Sequence, residues 1–144
     1  MLESLAKTSL RALREHNRRL QRSSRLIAVQ AAADIREAIN LMQIYDISQL
    51  PVLDGERIVG SLDERTLMER LTAAELCLWG AVAAFMQPPL PILEETEPVA
   101  AALEWLHRGA PAVIVTRAGT PVGIITPADL IAFKVYNERS DYQI

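Results

Sequence analysis

The sequence predicts a mixed α/β (α+β) fold: two pseudo-symmetric β-α-β-β-α repeats packed sheet to sheet, preceded by a basic N-terminal helix. Three observations predict it. The same order of apolar runs and turn signals occurs twice along the chain. The two strand-to-helix junctions, Gly60-Ser-Leu-Asp63 and Gly123-Ile-Ile-Thr126, stand 63 residues apart. Neither repeat alone is large enough to bury both faces of its sheet, so the two are expected to pack as one unit.

Each element has a local reason. Leu26–Val29 is a short apolar strand. Asp34-Ile-Arg-Glu37 is a capping box, after which Ile35, Ala38, Ile39 and Met42 recur at helical spacing. Leu50–Leu53 and Ile58–Leu62 flank Asp54-Gly55-Glu56-Arg57, a hairpin turn, and Asp63 caps a helix running to about Leu71. The order then returns. Leu90–Leu93 is a strand, and Thr96 is expected to cap a helix carrying Pro98 in its first turn, then Val99, Leu103 and Leu106. Ala112–Val115 and Val122–Ile125 form the second hairpin around Arg117-Ala118-Gly119. Thr126 opens the final helix with Pro127 at its first position. The domain plan is a basic helix over 1–25, a first repeat over 26–72, a connecting apolar helix over 73–88, a second repeat over 89–136 and a tail over 137–144.

Composition narrows the function. The 144 residues are 50% hydrophobic and 23% charged, with a net charge of −3, as in an ordinary globular chain. One cysteine excludes an internal disulfide, and two histidines, His16 and His107, argue against a zinc or iron centre. The longest apolar run, Ala73 to Met86, contains Glu75 and is too short to span a bilayer, so no membrane insertion and a cytoplasmic location are expected. Aromatic residues at 5% argue against base stacking on nucleic acid. No nucleophile-base pair, metal cluster or phosphate loop can be assembled, so the chain is expected not to be an enzyme.

Charge is placed unevenly. Residues 1–25 carry seven basic and two acidic side chains, and the rest carries eight basic and sixteen acidic. Leu2, Leu5, Leu13 and Leu20 give that first segment a narrow apolar stripe. Docking to a partner, contact with an anionic surface and a transit peptide are open readings. Packing on the chain's own acidic body, or on a dimer mate, is the favoured one.

The repeat, with Leu-Pro-Val before its hairpin and Gly-hydrophobic-hydrophobic-Thr-x-x-Asp after it, resembles the CBS domain, present in tandem as a Bateman module, from about Leu26 to Phe133. Tyr45-Asp-Ile-Ser-Gln-Leu-Pro-Val52, continuing to Gly55-Glu-Arg-Ile-Val-Gly60, is most similar to the C-terminal regulatory pair of bacterial cystathionine β-synthases. That enzyme's catalytic domain is absent, and neither Lys7 nor Lys134 sits in a pyridoxal-phosphate context, so the expectation is a regulatory module without its enzyme. The resemblance implies a cleft between the repeats that binds an adenosyl ligand: S-adenosylmethionine, AMP, ADP or ATP. It also implies a homodimer and a regulated enzyme or transporter as partner.

Residue by residue, the second repeat carries the whole motif in Gly123, Thr126 and Asp129, with Ile125 beside them. The first repeat keeps Gly60 but has Asp63 where threonine belongs and Thr66 where aspartate belongs. The resemblance places Ile47, Ser48, Gln49 and Leu50 near the ligand and Leu90-Pro91-Ile92 along the adenine. The chemistry is sound: a carboxylate accepts two hydrogen bonds from a vicinal diol, and a helix N-terminus favours an anionic substituent. Thr126-Pro-Ala-Asp129 is equally a capping box in its own right. The alternative function is a dimerisation module that binds no ligand. His107 and Arg108 suit a helix C-terminus or a phosphate, His16 is expected to be solvated, and Cys77 to be buried and inert. Trp79, Val82 and Phe85 form a packing stripe, either within the module or in a dimer contact, with the dimer contact favoured.

Overall fold

The computed structural model describes residues 6–20, 26–73 and 78–141. Two compact units result, one of residues 27–90 and one of residues 1–26 with 91–144. Leu2, Leu5 and Cys77 lie outside the described residues.

In the unit of residues 27–90, β1 (Val29–Gln30) pairs in parallel with β2 (Gln49–Asp54), which pairs antiparallel with β3 (Arg57–Asp63). Helix α1 is Leu10–Leu20 of the other unit, so the helix crossing from β1 to β2 is α2 (Ile35–Tyr45), and α3 (Glu64–Thr72) follows β3. Asp34 caps α2 by accepting the Glu37 N–H at 2.9 Å, as its spacing predicts. Ile35, Ala38, Leu50, Val52, Leu62 and Val82 close the core.

The second unit repeats the plan: β4 (Ile92–Glu94), α4 (Val99–His107), β5 (Val113–Arg117), β6 (Thr120–Ile125) and α5 (Pro127–Asp141), with sheet order β4-β5-β6. The β5–β6 loop is Ala118-Gly119, both at positive φ (49° and 84°), the handedness that a two-residue hairpin loop needs to follow strand twist.

Each unit is completed by the segment that precedes the other repeat. Leu10 and Leu13 of α1 are fully buried in the core of Leu93, Val99, Val113, Val115, Ile125, Leu130 and Phe133. Backbone bonds fix the arm: Leu10 N–H to the Glu97 carbonyl at 2.9 Å, Arg11 N–H to that of Glu95 at 2.9 Å, and Val99 N–H to that of Thr8 at 2.7 Å. The segment before the second repeat does the same for the first unit. Val82 N–H bonds the Ala33 carbonyl at 2.8 Å, Ala83 N–H that of Ala31 at 3.0 Å, and Ile35 N–H that of Gly80 at 3.0 Å.

These arms account for four departures from the sequence reading. Residues 78–88 are not a helix: the chain there forms only a 3-10 turn at Val82–Ala84, because its backbone groups pair with residues 31–36. Val82 therefore points into its own core, while Trp79 lies exposed under the Arg36 guanidinium, 4.4 Å from the ring centroid, so the three residues form no common stripe. Thr96 does not cap α4. The helix begins at Val99, after Pro98, and the Thr8 carbonyl takes the N–H that a cap would have satisfied. His16 is packed rather than solvated, edge-on to Phe133 with ring centroids 5.0 Å apart.

Candidate functional site

The second hairpin delivers its chain into α5 at Thr126. Pro127, at the first helical position, lacks the N–H that would be unsatisfied there and holds the φ a helix requires. Asp129 Oδ2 accepts the Thr126 N–H at 2.9 Å and its hydroxyl at 3.1 Å, and the Asp129 N–H reaches Thr126 Oγ1 at 3.4 Å. Both residues are half-buried. Among the described residues their side chains bond only to each other, and Asp129 Oδ1 accepts nothing. The junction thus presents one unused carboxylate oxygen at a helix N-terminus, suited to a hydroxyl donor.

Gly123 and Ile125 lie on the same strand but are closed off. The Ile125 side chain is 1% exposed and belongs to the core, so its position offers backbone only. Gly123 is covered by Arg14: a β-carbon there would stand 2.6 Å from Arg14 Nε. Pro91 precedes β4, half-buried, and its carbonyl accepts the Ile114 N–H at 2.8 Å; Ile92 is exposed and Leu90 belongs to the other unit. In that other unit Ile47 and Gln49 are half-buried at the start of β2, and Leu50 is fully buried in the core.

The first-repeat junction occupies the same place between strand and helix and has different chemistry. Asp63 Oδ1 accepts the Thr66 N–H at 2.6 Å, so the swapped pair still caps its helix. The Gln87 side-chain amide donates to the Thr66 hydroxyl. The Ser61 N–H bonds the Gln87 carbonyl at 3.0 Å, and the Gln87 N–H returns to the Ser61 carbonyl at 2.8 Å.

Arg14, Glu95 and Gln87 escape sequence reasoning. Glu95 is buried and clamped from both sides, by Arg117 Nε at 2.7 Å and Arg14 Nη1 at 3.2 Å, while Arg14 Nη2 donates to the Val122 carbonyl at 2.9 Å. The Arg117 hydrogen bond holds the Glu95 carboxyl below its ordinary value. Burial opposes this, and the charges of Arg117, Arg11 and Arg14 reinforce it. The only sequence signal for Arg14 was its place beside the apolar stripe of α1. His107 is exposed at the end of α4, where Arg108 pairs with Glu104 at 2.7 Å. Among the described residues no three potential ligands of the His, Cys, Asp or Glu type gather as a metal would need. No helix of the described residues is long and apolar enough to cross a membrane.

Comparison with known proteins agrees with this architecture. A putative signal-transduction protein with CBS domains from Burkholderia ambifaria is 23% identical over 90% of this chain and 95% of its own, with a TM-score of 0.74. The CBS domain of a bacterial CNNM/CorC family Mg2+ transporter is 22% identical over 90% of this chain and 76% of its own, with a TM-score of 0.69. CBSX2, solved in complex with AMP, is 20% identical over 78% of this chain and 90% of its own, with a TM-score of 0.63. At these identities the likeness is one of fold. The sequence model of the CBS domain matches residues 18–73 and again 82–136, so the chain belongs to the CBS-domain family and carries the domain as a tandem pair.

Proposed function

We propose that this CBS pair is a regulatory module that binds an adenosyl compound, S-adenosylmethionine, AMP, ADP or ATP, at the β6–α5 junction and passes that state to an attached or partner protein. The tandem CBS pair supports a regulatory role for this module. One observation carries the proposal: Asp129 keeps Oδ1 unused beside the Thr126 hydroxyl, where a ribose diol can donate to it. The AMP held by CBSX2 supports the ligand class, and the CorC transporter's CBS domain supports a regulated partner. Ligand binding would act by differential affinity for two packings of the module, the only way a ligand shifts an equilibrium.

The test is calorimetric titration with the four compounds on protein first shown by mass spectrometry to carry no ligand. Saturable binding that Asp129→Asn weakens about tenfold or more is expected, the cost of a charged hydrogen bond. Absence of binding to all four would overturn the reading.

A second reading, a homodimerisation module, rests on α5. Ala128, Ile131, Ala132 and Val135 lie three or four residues apart on one exposed face. The equivalent face of α3 carries the Arg65–Glu69 ion pair instead. Sedimentation of Ile131→Glu as a monomer beside a dimeric wild type would support it, and a monomeric wild type would remove it.

A further inference from the structure

The two junctions differ in what the exchanged arm does to them. Residues Arg14 and Met86 are counterparts: each lies on the glycine of its junction, with a β-carbon at Gly123 placed 2.6 Å from Arg14 Nε and one at Gly60 placed 2.6 Å from Met86 Sδ. Beyond that point the arms part. Helix α1 continues to Leu20, so Glu15 turns outward, exposed and paired with Arg11 at 3.6 Å. The other arm meets Pro88-Pro89. Proline cannot continue a helix and drives the residue before it to extended backbone, and here that residue is Gln87. Extended Gln87 then pairs both ways with buried Ser61, whose hydroxyl donates to the Pro88 carbonyl at 2.8 Å. The same geometry aims the Gln87 amide at Thr66, the counterpart of Asp129.

We infer that the segment leading into the second repeat is a built-in occupant of the first repeat's junction, with the Gln87 amide as the group that holds it shut. The inference rests on the reading of the Thr126–Asp129 junction as a ligand site, and it sets the capacity of the module at one ligand per chain. Missing carboxylate chemistry at Thr66 is thus only half of the reason that the first repeat is silent. Restoring the motif without removing Gln87 leaves an amide N–H in front of the new carboxylate.

The experiment is a titration of the full chain with AMP and with S-adenosylmethionine, reading stoichiometry. Wild type binds one equivalent, and Asp63→Thr with Thr66→Asp, which gives the first repeat the Thr-x-x-Asp spacing of the second, still binds one. Adding Gln87→Ala to that pair raises it to two. Two equivalents without the Gln87 change, or one with it, overturns the seal. Hydrogen exchange of wild type at saturating ligand gives a readout free of any folding defect in the variants. Protection at residues 123–129 with none at residues 60–66 supports the inference, and protection at residues 60–66 overturns it. A wild type that binds nothing beside a triple variant that binds one equivalent keeps the seal and discards the second-repeat site. Failure of both proteins to bind discards both.

Discussion

Arg14 lies so close over Gly123 that no other residue fits at 123 without moving the guanidinium. That guanidinium also bonds Glu95 and the Val122 carbonyl, so the arm before the first repeat is fastened to the last strand before the candidate site. Its counterpart fastens Met86 and Gln87 to Gly60 and Ser61. The motif glycines are therefore seats for the exchanged arms.

The two seats respond differently to a methyl group. At Gly123 the obstacle is the end of a flexible side chain, whereas at Gly60 it includes the Gln87 carbonyl oxygen at 2.8 Å, which Ser61 holds in place. Gly60→Ala is expected to cost about 1–3 kcal/mol, as overpacking does, and Gly123→Ala less. Urea unfolding of the two variants checks the order.

Glu95 makes stability depend on pH. Its folded pKa lies below the ordinary 4.5, so the unfolded chain binds the proton more tightly. The stabilisation is fully present above the ordinary value and is lost as pH falls through it toward the lowered folded value. Urea midpoints are expected to fall below about pH 4.5, and Glu95→Gln to be less stable at neutral pH with a flatter acid limb. A Glu95→Gln profile parallel to wild type would show that other carboxylates govern the acid limb.

The N-terminal arm is part of the second unit's core. Leu13 and Leu10 are fully buried, so Leu13→Ala is expected to cost about 2–5 kcal/mol, while exposed Lys7→Ala stays within about 0.5 kcal/mol. Hydrogen exchange of Leu13→Ala should rise across residues 91–135 before it rises across residues 27–73.

Local chemistry was legible in the sequence and long-range pairing was not. Asp34, Asp63 and Thr126 reveal their caps because a cap needs only residues three apart, and Ala118-Gly119 reveals a hairpin because the loop's handedness selects its residues. The Trp79, Val82 and Phe85 spacing imitates a helix, yet the backbone there pairs with residues some fifty positions earlier, which no local period records. Thr96 has the right type for a cap but loses its role to the Thr8 carbonyl, from the far end of the chain. At the candidate site, Thr126 and Asp129 stand together because their motif is local. The resemblance places Leu50 and Ile125 at the ligand, and their side chains lie in the cores, because an apolar strand residue serves either purpose and only the assembled sheet decides.

Capping and binding at Asp129 can be separated. Asparagine keeps a side-chain oxygen for the Thr126 N–H, so Asp129→Asn is expected to cost no more than about 1 kcal/mol, the loss of a negative charge from a helix's first turn. It still removes the charge that the ligand diol would use. Asp63→Ala does the reverse: it deletes the cap that accepts the Thr66 N–H, at about 1 kcal/mol, and leaves ligand affinity unchanged. Thermal melts with and without S-adenosylmethionine and AMP read both quantities at once, since a ligand raises the melting point only of a chain that binds it. If Asp129→Asn keeps the full ligand-induced rise, Asp129 is a helix cap and nothing more.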